Sequence, residues 1–245
     1  MRGVLVLVAL ALTLACAPQA AESTVVDPNT LSLPESQSAA PAIDDLPLVI
    51  VSKTKLMLAS TPHVIDLPLG VRAGDDPLIE PLRAWLGELQ HGPGLAVAID
   101  RDASSELAME VLATCMSAGF STFHIAVTRD GETAQIPLAM GRPEPPSKKP
   151  LAVSLFREGI IVKVPEGNVA PGCQGLGEGV TLSRTEASLD RETLGACLAR
   201  MHDEHHTNVA NLLVRRDTPF HEVIAVLDAL RRDAKTDQIG LGIAQ

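Results

Sequence analysis

Aromatic side chains are scarce in this chain: 2% of residues, with one Trp, four Phe and no Tyr. Surfaces that grip sugars, nucleobases or quaternary amines lean on aromatic faces, so such ligands are poorly served here. Positive charge is also short, with 20 Lys and Arg against 30 Asp and Glu and a formal net charge of −10 at pH 7. Nucleic acids and anionic lipids reward a basic face, and neither is expected as a main partner. No long apolar run exists. The run from Val4 to Ala15 is about 12 residues, roughly 18 Å as a helix, too short for a hydrocarbon core of about 30 Å. Nucleophile motifs are absent: no Gly-x-Ser-x-Gly occurs. The "GLGEG" at 175–179 follows Cys173 rather than a strand and opens no helix, unlike a phosphate loop. What the chain does have is a 46% hydrophobic share, ample for a buried core.

The ends of the composition map suggest five segments. "MRGVLVLVALALTLAC" has one positive charge, Arg2, and an apolar stretch, the pattern of a secretory signal. Its tail "LTLAC" resembles a bacterial lipobox, with Thr13 where that motif usually carries Leu. Residues 1–16 are therefore expected to be a signal with lipidation at Cys16, giving a membrane-anchored lipoprotein on the periplasmic side. Residues 17–46 are rich in Ser, Pro, Ala and acids and are expected to be a disordered tether. The Pro-rich "GRPEPPSKKP" at 141–150 reads as a linker between domains at 47–140 and 151–245.

The two domains repeat one pattern. With an offset of 115 residues, "LAVAIDRDASSELAMEVLATCMSAG" (95–119) falls on "ANLLVRRDTPFHEVIAVLDALRRDA" (210–234). Ala108, Val111, Leu112 and Cys115 then match Val223, Val226, Leu227 and Leu230. Both sets have the i, i+3, i+4, i+7 spacing of one helix face. Thr218 and Pro219 make a helix start, with Pro219 expected at the first helical position. An earlier helix in each half is marked by Leu78, Ile79, Leu82, Trp85, Leu86 and Leu89, and by Leu194, Cys197, Leu198 and Met201 with Asp190 as cap. Strand-like runs precede them ("PLVIVS" and "KLMLAS"; "PLAVSLF" and "GIIVKV"), and a further strand follows the second helix ("STFHIAV"; "QIGLGIA"). Each half reads β-β-α-β-α-β. Helices with one apolar stripe must be covered, so the expected fold class is α+β: two tandem two-layer domains, each a mixed sheet with two helices on one face.

"RRDTPFHEVIAVLDALRRD" (215–233), with Pro219, Phe220, Val223, Ile224, Val226, Leu227 and Asp228, resembles the periplasmic domain of the ExbD/TolR family of biopolymer-transport proteins. "AIDRDASSELAMEVL" keeps Asp100 and the helix stripe, and "LAVSLFREGIIVKVPEGNVAPGC" is similar to the family's opening strands. The resemblance covers most of 47–245, once per half. It implies a periplasmic binding or scaffold part that meets membrane or periplasmic proteins of an ExbB/TolQ-type system. Asp217, Pro219, Phe220 and Asp228 are the implied contact region. Family members that transmit proton-motive force carry a transmembrane helix with an Asp in it. The apolar run here contains no acid, so proton conduction is not implied. Peptidoglycan is the alternative partner, for an envelope lipoprotein of the wall-associated kind.

No cofactor, metal or enzymatic activity is expected. In "HDEHH", His202 and His206 have a spacing that suits zinc, but the stretch is expected to be a polar loop. Asp100 and Asp102 sit at a strand end, read as turn and helix entry rather than an acid–base pair. Cys115 and Cys197 hold stripe positions and are expected to be buried free thiols, with Cys173 in a loop. In an oxidising compartment any pair of the three has the chemistry to bridge, and spacing does not choose among them.

Overall fold

The computed structural model describes residues 31–43, 45–59, 61, 64–67, 78–89, 94–139, 150–184, 189–206, 208–236 and 238–244. The expected signal, Cys16, the first part of the tether and nearly all of the 141–150 linker lie outside these. Among the described residues no helix is long and apolar enough to cross a membrane.

The first half contains β1 (Ala40–Pro41), β2 (Leu48–Val51), β3 (Lys55–Leu58), β4 (Val64–Asp66), α1 (Glu80–Gly87), β5 (Leu95–Ile99), α2 (Ser105–Ser117), β6 (Thr122–Arg129) and β7 (Glu132–Ala139). The second contains β8 (Leu151–Leu155), β9 (Gly159–Val164), β10 (Gly167–Asn168), β11 (Leu182–Ser183), α3 (Arg191–His205), β12 (Val209–Val214), α4 (Phe220–Arg232) and β13 (Gln238–Ile243). The fold is α+β, with two mixed sheets ordered β1-β7-β6-β5-β2-β3-β4 and β10-β9-β8-β12-β13, β11 also pairing with β9. Strip off the additions and the strand order is the same in each half. An antiparallel hairpin (β2–β3; β8–β9) is joined on its first strand to a parallel partner (β5; β12), which takes a second parallel strand (β6; β13). Parallel neighbours need crossovers, and the helices supply them.

The apolar stripes fill the core as their spacing demands. Val111, Leu112 and Cys115 of α2, Val223, Val226, Leu227 and Leu230 of α4, and Leu194, Leu198 and Met201 of α3 are all buried, within one cluster that runs through both halves. Caps account for the helix starts. Ser104 accepts from the Leu107 amide and Asp190 from the Thr193 amide, each satisfying an orphan donor of the first turn. Pro219 is the N-cap of α4, one place before the expected first helical position. Helices α3 and α4 come close at Gly195, where a Cβ would meet the Asp233 carboxylate at 2.5 Å.

Four expectations need correction. Residues 31–43, expected within a disordered tether, are packed. Leu31 and Leu33 lie against Ile50, Met57 and Ala98 on the far face of the first sheet, and Ala39 is 2% exposed. Strand β7, not anticipated, pairs with β6 along its full length and carries β1 on its other edge. The polar "HDEHH" is helical through His205, with His206 as a left-handed C-cap, because the last helical turns are solvated and tolerate charge. Cys197 is not a free thiol: it is bonded to Cys173, which ties the 165–183 loop to α3. Cys115 is free and buried, as expected.

Candidate functional site

The two halves meet at the N-termini of α2 and α4. The residue that caps each helix faces its counterpart: Ser104 and Pro219 form an antiparallel bridge. Around it run four backbone hydrogen bonds. The Ser105 amide donates to the Thr218 carbonyl (2.8 Å) and the Phe220 amide to the Ala103 carbonyl (2.8 Å); the Glu106 amide donates to the Arg216 carbonyl (3.0 Å) and the His221 amide to the Arg101 carbonyl (2.8 Å). Each pair becomes the other when 115 is added to the first-half residues and subtracted from the second-half residues. That reciprocity is the signature of an isologous contact, here made inside one chain. Side chains follow the same rule loosely. Glu106 pairs with Arg216 at 3.0 Å, and the ring of His221, its equivalent, lies 2.9 Å from the Arg101 carbonyl. Ser105 adds hydroxyl bonds to the Arg215 and Arg216 carbonyls.

The seam uses two of the four residues expected to meet a partner. Phe220 is 2% exposed and part of the core. Pro219 is in the bridge. Asp217 alone is exposed, in an ion pair with Arg215 at 3.0 Å; that hydrogen bond holds its carboxyl below the usual range. Its equivalent Asp102 is lowered likewise, chiefly by the 3.1 Å bond from Lys53. Sequence reasoning put Asp217, Pro219, Phe220 and Asp228 on one partner-facing surface; the structure divides them between a surface turn, the seam and the interior.

Asp228 is 5% exposed and receives the segment 31–43, which crosses it as a strap. The Ser36 hydroxyl (2.6 Å), the Gln37 amide (2.7 Å), the Ser38 amide (2.9 Å) and the Ser38 hydroxyl all donate to its two oxygens. Burial pushes this carboxyl up, but the four donors together outweigh burial, and it sits below the ordinary value. The strap is held elsewhere too. Its Ser36 amide donates to Thr128, the Thr128 amide to Pro34, the Arg101 amide to Ser32 and the Arg129 guanidinium to Ala39. Arg232 reaches Gln37, and Arg231 reaches the Pro137 carbonyl of β7. The strap thus fastens the first sheet to α4 of the second half. Only the acid at position 228 was visible in the sequence; its ligands lie about 190 residues away.

Among the described residues no group of three or more His, Cys, Asp or Glu is placed to hold a metal ion. Asp100 accepts the Asp102 amide at 2.9 Å in a tight turn, so the two carboxylates are part of a helix entry. His205 pairs with Glu166 at 3.2 Å, on the surface. Comparison with known proteins finds no matching family model, no matching curated protein and no matching solved structure.

Proposed function

We propose that this chain is a non-enzymatic binding scaffold of the bacterial cell envelope, similar to the periplasmic part of the ExbD/TolR family. It acts from the periplasmic side, anchored by lipid at Cys16, and engages protein partners of an ExbB/TolQ-type system without conducting protons. The observation that supports this reading best is the reciprocal seam. Two β-β-α-β-α-β units of one strand order meet through the very motif, Asp217 to Phe220, that carries the resemblance. A protein that devotes its best-defined polar geometry to joining two halves and clasping its own strap is built to hold and be held, not to turn over a substrate. The seam residues and Asp228 serve that internal assembly, so partner contact falls to the surfaces flanking them.

Expression of the full chain in cells lacking their own ExbD and TolR tests the reading, with crosslinking to inner-membrane partners and sedimentation with isolated peptidoglycan as parallel readouts. Crosslinks to ExbB/TolQ-type proteins without recovery of energy-dependent uptake are expected. Restored uptake would refute the non-conducting assignment, and co-sedimentation with peptidoglycan without protein crosslinks would favour the wall-associated alternative.

A further inference from the structure

Strand β13 is an edge of the second sheet, and one side of its backbone is unpaired. It runs parallel to β12 from Gln238 to Ile243. The Gln238 amide donates to the Asn208 carbonyl and the Ala244 amide to the Val214 carbonyl. Backbone groups alternate in direction along a strand, so Gly240 and Gly242 also face β12, and Ile239, Leu241 and Ile243 turn their amides and carbonyls the other way. Among the described residues none of these outward groups has a hydrogen-bond partner. An edge of this kind is a template for another chain, and proteins blunt it with charge, proline or a bulge. β13 reads QIGLGI, without charge or proline, and its register with β12 is unbroken.

The first half shows what such an edge takes. Ala210 pairs with Ile239 as its counterpart Leu95 pairs with Phe123, so Ile239, Leu241 and Ile243 occupy the places of Phe123, Ile125 and Val127. On β6 those three stand opposite Leu138, Ile136 and Ala134 of the antiparallel β7, and all of these side chains are buried in the core. Pro137 falls between them, where its missing amide costs no bond to β6. In the second half Leu241 and Ile243 pack on the rim of the core and stay half-buried, without such a cover. The space beside Ile243 is an open cleft of about 240 Å³ toward α2. β13 also lies next to β7, so a strand added to it is continuous with the seam between the halves.

We propose that β13 takes an extended segment of a partner protein as an added antiparallel strand, one with uncharged apolar side chains at the alternate positions opposite Ile239, Leu241 and Ile243. Backbone pairing supplies the affinity and the alternate apolar positions supply the choice of segment. A charged side chain at those positions would be buried at the core rim, and β13 carries no counter-ion for it. This rests on the reading of the chain as a binding scaffold and names the strand through which it binds.

The test uses the isotope-labelled full chain and the peptide GETAQIPLAM, residues 131–140, which contains the strand that the twin edge holds. Binding is read from the amide signals of Ile239, Leu241 and Ile243 and from their hydrogen exchange. These amides should shift and become protected, and a scrambled peptide should leave them unchanged. A methyl group on the peptide nitrogen at the position of Ile136, which faces the paired strand, should weaken binding by about tenfold, the loss of one hydrogen bond worth about 1.4 kcal/mol. The same methyl group at the position of Gln135, which faces away, should leave binding unchanged. Leu241→Pro removes an outward donor and spares the amides that face β12; it should abolish binding while β12 keeps its protection. No shift at the three amides, equal binding of the two methylated peptides, or binding that survives Leu241→Pro overturns the proposal. A dimer of the chain in which the β13 amides are already protected overturns it too, and gives the edge to a second copy. Envelope crosslinks that persist when the peptide fails would leave the scaffold reading standing and remove β13 from it.

Discussion

Removing the Asp228 carboxylate should release the strap without unfolding the rest. Four donors from Ser36, Gln37 and Ser38 converge on it, three of them at 2.6 to 2.9 Å. A hydrogen bond to a charged group contributes about 1.5–3 kcal/mol. Four donors sharing one carboxylate do not add, because the strap that supplies them leaves as a unit. The strap can open locally, so the loss is bounded by its own docking free energy. We expect Asp228→Ala to lower that opening free energy by about 3 kcal/mol, which is roughly a hundredfold faster hydrogen exchange at the amides of Ser36, Gln37 and Ser38. Amides in α2 and β12 should keep their protection, and a protease should gain a cut between 31 and 43. The pH dependence has a definite sign. The folded carboxyl lies below its ordinary value, so its contribution is complete above the unfolded carboxylate range near 4 and is lost as pH falls through the lower folded value. The protection factor of the wild-type strap, which is exchange relative to the intrinsic rate at the same pH, should fall only in that acid window, and in the Asp228→Ala variant the window should vanish. Unchanged protection of the three amides in the variant would refute the assignment of Asp228 as the strap's anchor.

The Cys173–Cys197 bond closes a loop of 24 residues, so Cys173→Ser should cost about 3 kcal/mol, seen as a lower urea midpoint. Cys115, whose thiol burial pushes up to about 12, should resist maleimide labelling at pH 8 in the native chain and label on unfolding. Ser105→Pro occupies the first helical position of α2, where proline is tolerated, and deletes the amide bond to Thr218 and the hydroxyl bonds to Arg215 and Arg216. It should cost about 2–4 kcal/mol in urea unfolding, more than Ser105→Ala; equal stability of Ser105→Pro and wild type would show that the seam contributes nothing.

The elements that were legible in the sequence are those encoded locally. The stripe Ala108, Val111, Leu112, Cys115 and its match at 223–230 fixed two helices, because a 3.6-residue period admits one buried face. The cap at Asp190 was readable from its own three neighbours. What was missed depends on residues far apart. "ETAQIPLA" does alternate, and Ala134, Ile136 and Leu138 are buried, but Pro137 argues against an interior strand. The strap has few apolar residues and no period; its order comes from a carboxylate about 190 positions away, which no local rule detects. The partner of Cys197 was open for the same reason: Cys173 is loop-borne, and only the fold brings the two together. Asp228 was singled out from its motif, yet whether an acid on a helix faces a partner or its own chain is decided by what lies against it.

Two halves of one strand order in one chain allow an asymmetry that two identical subunits forbid. A symmetric dimer presents each groove twice, with the same residues. Here the reciprocal seam preserves the two-fold at the backbone while the surfaces on either side differ at most matched positions, among them Asp228 against Ala113 and Ala225 against Glu110. Asp228 against Ala113 decides which groove can hold the strap: only the former places a carboxylate among the donors of Ser36 to Ser38. Ala113 offers no acceptor, so a strap laid there would bury two hydroxyls and two amides without partners, at about 1–3 kcal/mol each. The strap is therefore confined to one side by chemistry as well as by chain connectivity. If so, Ala113→Asp with Asp228→Ala should not move the strap within one chain, since residues 42–47 tie it to β2. It should instead leave the strap loose and let the free 32–41 peptide bind the altered groove. Failure of that peptide to bind the double variant would show that the carboxylate is not what selects the strap.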